Sequence, residues 1–437
     1  MNMIQQLYID PGTGGMLFTI LFGLFSVVVF SFRALLMKMK YRSIGGEKAK
    51  INEQKIPLVI FAEDKRYWNV FKPILDELEA RSQKTVYLTC SEDDPIFDKD
   101  YRFITGEFIG NGNKAFSRLN LLNASVVLST TPSLDVFQWK RSANVDCYIY
   151  IFHAPNDATL YRMFGLDHYD AFILSGEYQE KQIRQLEEMR GISPRDIEIC
   201  GLPYMDNMLK RLNDAEELSA HERTVILAPT WGFNGIFSRY GDKVIDNLIS
   251  TGYKVIIRPH PQSFSSEKEM IEKLMAKYND PDVVEWNRDN DNFEVLRRTD
   301  ILISDYSGVL FDYSLVFNKP VIYTKAGIDY SPLDAAWIDE ESWTLKILPS
   351  LGLELNEENI GDIKTLIDRC IEDPSFAEGR QRARSETWFH MGEGAKRSVD
   401  FILRKYDELV ARRTEEEKRA EAESKDKKKF ALKKGGF

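Results

Sequence analysis

The chain has 437 residues, with 58 Lys and Arg against 68 Asp and Glu, a net charge of −10, and is 43% hydrophobic and 29% charged. That balance excludes global disorder and a collagen-like fibre, and the length suffices for two or three domains whose cores need no staples. The acidic total disfavours a general nucleic-acid binder, and four widely separated cysteines (Cys90, Cys147, Cys200, Cys370) leave no C-x-x-C zinc or redox motif.

The first element in chain order is apolar. No charged residue lies between Asp10 and Arg33, and Met16 to Phe32 is almost wholly hydrophobic, close to the roughly 20 residues that cross a bilayer. Asp10 precedes the run and Arg33, Lys38, Lys40 and Arg42 follow it. A signal peptide carries its positive charges on the other side. Residues 1–42 are therefore expected to hold a transmembrane helix over about 14–32, making a single-pass protein of the cell membrane. The positive-inside rule places the rest of the chain in the cytoplasm. Residues 43–55 read as a polar linker.

Beyond the linker, short apolar runs alternate with helical spacing. Strands are predicted at Pro57–Ala62, Thr85–Thr89, Ser125–Ser129, Cys147–Phe152 and Ala171–Leu174, with helices at Tyr67–Arg81 and Tyr178–Arg190. The runs are continuous rather than alternating, which implies a parallel sheet covered on both faces. The pattern restarts at Thr224–Ala228, Tyr253–Ile257, Asp282–Trp286, Asp300–Ser304 and Pro320–Tyr323, with helices at Asp242–Ser250, Glu267–Tyr278 and Val309–Phe317. The expected organisation is an α/β protein with Rossmann-like domains over 56–205 and 206–390, a hinge within 201–222 and a ligand cleft between them. A C-terminal helix is expected over 391–412, with Val399, Ile402, Tyr406 and Leu409 on its apolar face. Residues 413–437 read as a charged tail, disordered or helical but unpacked. Its last 13 residues hold six lysines and one aspartate, a charge suited either to an anionic membrane surface or to plain solvation.

Candidate chemistry sits where strands end. Ser304-Asp305-Tyr306-Ser307-Gly308 leaves one strand and opens a helix containing Asp312. Hydroxyls, free amides and a helix dipole there suit a phosphate, and Asp312 suits a ribose. The plainer reading is an N-cap and a solvated carboxylate. Arg258 and His260, in R-P-H-P, follow a second strand. A guanidinium and an imidazole both suit phosphate oxygens. Thr230 and Trp231, in A-P-T-W, follow a third strand, and His153 follows a strand of the first domain. On the residues alone His153 reads equally as a hydrogen-bonded loop histidine. The D-x-D pairs at 98/100, 280/282 and 289/291 read as solvated loops, and nothing in the sequence calls for a metal or cofactor.

Taken in order, G-x-P-x-x-D (Gly201, Pro203, Asp206), A-P-T-W (228–231), R-P-H-P (258–261) and S-D-Y-S-x-x-x-F-D (304–312) resemble the CDP-glycerol glycerophosphotransferase family, over about 150–405. The resemblance implies two facing Rossmann-like domains of GT-B type. It implies attack on the β-phosphate of CDP-glycerol by a lipid-linked or polymer acceptor in teichoic-acid synthesis, with release of CMP. It also implies Thr230, Arg258, His260, Ser304, Ser307, Gly308 and Asp312 as donor-binding residues, and His153 with His260 as the catalytic pair. The chain departs from the family's His-Gly-Thr-Pro-x-Lys with His153-Ala154-Pro155-Asn156-Asp157, and has Gly232 where an arginine often follows A-P-T-W. Two other functions fit the same reading: a GT-B glycosyltransferase using a nucleotide sugar for a surface polysaccharide, and an inactive nucleotide-binding scaffold.

Overall fold

The computed structural model describes residues 55–434 except 290, 306, 326 and 327. The expected membrane helix lies outside the described residues. Among those described, no helix is long and apolar enough to cross a membrane.

Continuous apolar runs bury both faces of two parallel sheets. The first contains β1 (Ile56–Ala62), β2 (Thr85–Thr89), β3 (Ile104–Phe108), β4 (Ala124–Ser129), β5 (Val145–Ile151), β6 (Ala171–Leu174) and β7 (Asp196–Ile199), in the order β3-β2-β1-β4-β5-β6-β7. The second contains β8 (Thr224–Ala228), β9 (Lys254–Ile257), β10 (Val284–Trp286), β11 (Ile301–Ser304), β12 (Val321–Tyr323) and β13 (Gly352–Glu354), in the order β10-β9-β8-β11-β12-β13. Both orders reverse direction beside the first strand of their sheet, and ligands of such sheets bind at the carboxyl edge of that switch point. The switch points lie between β1 and β4 and between β8 and β11, and the residues after β5 and β9, one strand further out, end at the same carboxyl edges. Three strands escape the sequence pattern: β3 (ITGEF), β7 (DIEI) and β13 (GLE). All three are sheet edges, where charged and small residues replace a continuous apolar run.

The expected hinge is largely a helix, Pro203–Asp214, with Pro203 in its first turn, where its missing N–H costs nothing. Tyr204, Met205 and Met208 pack into the core of the second sheet with Ile226 and Leu302. It also packs against the first-domain helix Trp68–Ala80, so it bridges the two domains, and the expected boundary at 205/206 falls inside it. Asp206 turns the chain back. Its carboxylate accepts from Trp388 Nε1 and the Gly392 amide at 2.7 Å and from the Gly394 amide at 2.9 Å. The last of these opens the long helix Gly394–Lys434. This helix returns to the first domain, where Val399, Phe401, Ile402 and Leu409 join the core beneath β1 and β4. Arg404 pairs with Glu198 at 2.7 Å, and Arg413 donates to Ser125 Oγ at 2.8 Å. It continues through the charged stretch that the sequence left open between disorder and an unpacked helix. Glu, Ala, Arg and Lys are strong helix formers, and residues 414–420 are almost wholly exposed. Gly201 permits the crossover: its φ is +88°, and a Cβ would lie 2.0 Å from the Phe389 carbonyl oxygen.

Two carboxylate clusters are prominent among the contacts that tie the sheets together. Asp157, fully buried in the loop after β5, accepts from the Trp343 amide at 2.7 Å, the Thr344 amide at 3.0 Å and Thr344 Oγ1 at 2.6 Å. It thereby caps the second-domain helix Trp343–Leu351 and also takes Gln182 Nε2. Nearby, buried Arg190 pairs with Asp167 and with Asp334, while Asp334 accepts from the Phe164 amide at 2.9 Å. Removing one acceptor strands several buried donors, each costing about 1–3 kcal/mol. Asp157→Ala is expected to lower stability by about 3 kcal/mol or more in denaturant unfolding, and an unchanged midpoint would remove this tie from the account.

Candidate functional site

The loop carrying His153 and the turn carrying Ser307 and Gly308 meet across the interdomain cleft. A Cβ placed on Gly308 would sit 3.5 Å from the Ala154 Cβ. Beside this contact lies a cavity of about 210 Å³ lined by Asn156, Tyr161, Ser307, Gly308 and Phe311, among others. It is smaller than the roughly 300–1,000 Å³ of a whole small-molecule site. It has room for only part of such a ligand.

The two histidines are held differently. His153 Nδ1 is 2.9 Å from Thr130 Oγ1, a hydroxyl that can donate to it or accept from it. Tyr67 packs edge-on to the ring at 5.2 Å. Burial, and then the charge of Arg66, push this imidazole down to about 4, so it is neutral at neutral pH. His260 Nδ1 accepts from the Gln262 amide at 3.1 Å, which leaves Nε2–H as a donor. Burial and Arg66 also lower His260, with Glu267 opposing.

The remaining expected residues divide. Ser307 and Gly308 line the cavity. The helix they open runs Val309–Phe311 and widens into a π-type turn over Asp312–Val316, a feature frequent at functional sites. Asp312 accepts from Tyr204 Oη at 2.9 Å, and burial raises its carboxyl to about 6. Thr230 sits on a loop held from below: its amide, at 2.8 Å, and that of Ile236, at 2.9 Å, both donate to Asp305. Gly232, at φ +98°, donates to Glu267 at 3.0 Å.

Two expected contacts are corrected. Ser304 is fully buried and its hydroxyl donates to the Ala228 carbonyl, so it joins β11 to β8 beneath the site. The Arg258 guanidinium is taken up by Asn287 Oδ1 and, at 2.7 Å, by the Asp289 carbonyl. It braces the loop after β10. Sequence reading missed Asp305, which is buried with its carboxyl raised to about 6 by burial. Its place after β11 was visible, but its partners 75 and 69 residues away were not. Among the described residues no group of three or more His, Cys, Asp or Glu is gathered for a metal.

Residues 157–345 match the model of the family described as CDP-Glycerol:Poly(glycerophosphate) glycerophosphotransferase. No curated protein sequence matches the chain. Among solved structures, the wall teichoic acid polymerase TagF, soaked with CDPG, is 18% identical with a TM-score of 0.55, the alignment covering 88% of this chain and 97% of TagF. The UDP-GlcNAc 2-epimerase of Methanocaldococcus jannaschii, bound to UDP-GlcNAc and UDP, is 13% identical with a TM-score of 0.52, covering 79% and 99%. MnaA of S. aureus with UDP is 12% identical with a TM-score of 0.53, covering 81% and 97%. These likenesses establish the two-sheet GT-B-type fold. The glycerophosphotransferase match ends at residue 345, just past the Asp157-capped helix start, and begins four residues after His153.

The depressed His153 yields a signed expectation. Its stabilising effect on the fold is complete above 6.5 and is lost as pH falls toward 4. An NMR titration of its ring should show a midpoint near 4, and a midpoint at 6.5 would contradict the burial argument.

Proposed function

We propose that the chain transfers glycerol phosphate from CDP-glycerol to a lipid-linked or polymer acceptor in teichoic-acid-type synthesis and releases CMP. The observation that carries this reading is the pair of oriented histidines, His153 beside Thr130 and His260 presenting Nε2–H, in a chain whose residues 157–345 match the glycerophosphotransferase family. The Ser307–Gly308 turn and His260 Nε2–H would hold the donor pyrophosphate, and Asp312 would take the ribose. The acceptor hydroxyl would lose its proton to His153 Nε2 as its oxygen bonds the β-phosphorus. The bond from that phosphorus to the bridging oxygen breaks, and CMP leaves with that oxygen. Positioning and charge neutralisation supply most of the rate in such transfers. The apolar segment at 14–32 would anchor the protein as a single-pass membrane protein, with the transferase on the cytoplasmic side where the donor is found. The lysine-rich end would lie against an anionic leaflet.

The two nucleotide-sugar neighbours keep one alternative in view, a GT-B glycosyltransferase. The nucleotide released from a donor panel separates the two: CMP from CDP-glycerol, or a nucleoside diphosphate from a nucleotide sugar. His153→Ala is expected to bind CDP-glycerol normally and to lower single-turnover transfer by roughly 10²–10⁴-fold. His260→Ala should weaken both binding and transfer. Full transfer by folded His153→Ala would remove it as the base. Ser304→Ala and Arg258→Ala are expected to reduce stability more than donor affinity, because both side chains are bonded within the protein.

A further inference from the structure

The cavity of about 210 Å³ beside the Gly308–Ala154 contact has mixed walls. Leu160, Leu310, Phe311 and Leu348 line it together with Asn156 and Ser307. Two further polar side chains at its edge are used within the protein, because Thr344 Oγ1 donates to Asp157 at 2.6 Å and the Asp157 oxygens also take the Trp343 and Thr344 amides. Among these walls there is no lysine, arginine or histidine, so they suit a neutral fragment that is part polar and part apolar. Asn156 is held in place for such a fragment. Its amide donates to the Ala154 carbonyl at 2.7 Å, and its carbonyl accepts from Gln179 Nε2 at 2.8 Å. Gln179 is fully buried, and its Oε1 takes the Ser175 amide at 2.8 Å and the Ser175 hydroxyl at 3.0 Å. A main chain bonded on both sides fixes where the side chain starts. A carboxamide offers two donors and two acceptor positions, and contact with the Tyr161 hydroxyl uses one of them. The Tyr161 ring is itself set by Tyr150 and Phe152, with centroids 5.8 and 5.9 Å away.

We propose that this cavity is the head-group pocket of the donor, seating the glycerol unit bonded to the β-phosphate, and that the Asn156 carboxamide sets specificity by bonding the glycerol hydroxyls. This rests on the transfer reading above. Ser307 and Gly308 line the cavity and also form the turn given to the pyrophosphate, so the group attached to the β-phosphate is the part of the donor that meets the cavity. A hydroxyl both donates and accepts, as a carboxamide does, and the carbon chain between the hydroxyls suits the leucine and phenylalanine walls. The small volume favours a glycerol unit over a hexosamine. A pocket built to bond a hydroxyl discriminates against the analogue that lacks it, because its own polar group is then left unpaired.

The test is calorimetric binding of CDP and CDP-glycerol to the full chain and to Asn156→Ala and Leu160→Phe, with thermal melts to confirm folding. CDP lacks the glycerol, so a change in the ratio of the two affinities between proteins reads the pocket. Asn156→Ala is expected to lower the preference for CDP-glycerol by about 3- to 10-fold, as loss of one hydrogen bond implies, while CDP affinity stays within twofold. Leu160→Phe, which fills the cavity and removes no polar group, should lower the preference at least as far. A preference within twofold of wild type in either folded variant would overturn the proposal. If that unchanged preference came with a raised KM for a soluble di(glycerol phosphate) acceptor, the pocket would belong to the acceptor's end instead. Release of CMP from CDP-glycerol by the wild type separates the two levels. With release and no change in preference, the pocket assignment falls and the transfer reading stands. A wild type that neither binds CDP-glycerol nor releases CMP from it overturns both.

Discussion

A single buried carboxylate sets the geometry of the cleft. Asp157 lies four residues after His153, and its two oxygens take two main-chain amides and a hydroxyl at the start of a helix in the other domain. A carboxylate at a helix N-terminus is favoured by the dipole and by the unsatisfied amides there. In this position it also fixes where the His153 loop stands. The loop cannot drift from the Ser307–Gly308 turn without stranding those donors in the interior. The Arg190 pairs with Asp167 and Asp334, and the Asp206 clamp on the returning helix, hold the same interface from either side.

Within that frame the chemistry follows from hydrogen-bond polarity. Thr130 orients His153 through Nδ1, and the Gln262 amide orients His260 through its own Nδ1. The Gln262 amide can only donate, so neutral His260 presents Nε2–H, and the Thr130 hydroxyl would leave His153 Nε2 with its lone pair when it accepts from Nδ1–H. Burial lowers both rings from the usual imidazole value.

Much of this was legible in the sequence. Interior strands announced themselves as unbroken β-branched runs, and residues placed after them arrived at one edge because a parallel sheet sends all its carboxyl ends the same way. The edge strands β3, β7 and β13 lacked that signal because only one side of each is paired. Individual roles were harder to read. Ser304 and Ser307 are three residues apart on one turn, yet the first points into the sheet and the second lines the cavity. Arg258 reads as a phosphate ligand until the loop at Asn287 is folded beside it. Asp157 carried no local signal, since its partners lie 186 and 187 residues away. Long-range capping is written in no motif.

The central claim is that one donor pyrophosphate lies between the walls carrying His153 and His260. A crystal structure of the protein with CDP-glycerol tests it directly. The account predicts the β-phosphate within hydrogen-bond distance of His260 Nε2 and the Ser307–Gly308 turn, with His153 Nε2 open on the far side for an acceptor hydroxyl. A donor bound with its pyrophosphate on Arg258, or outside the interdomain cleft, would contradict it.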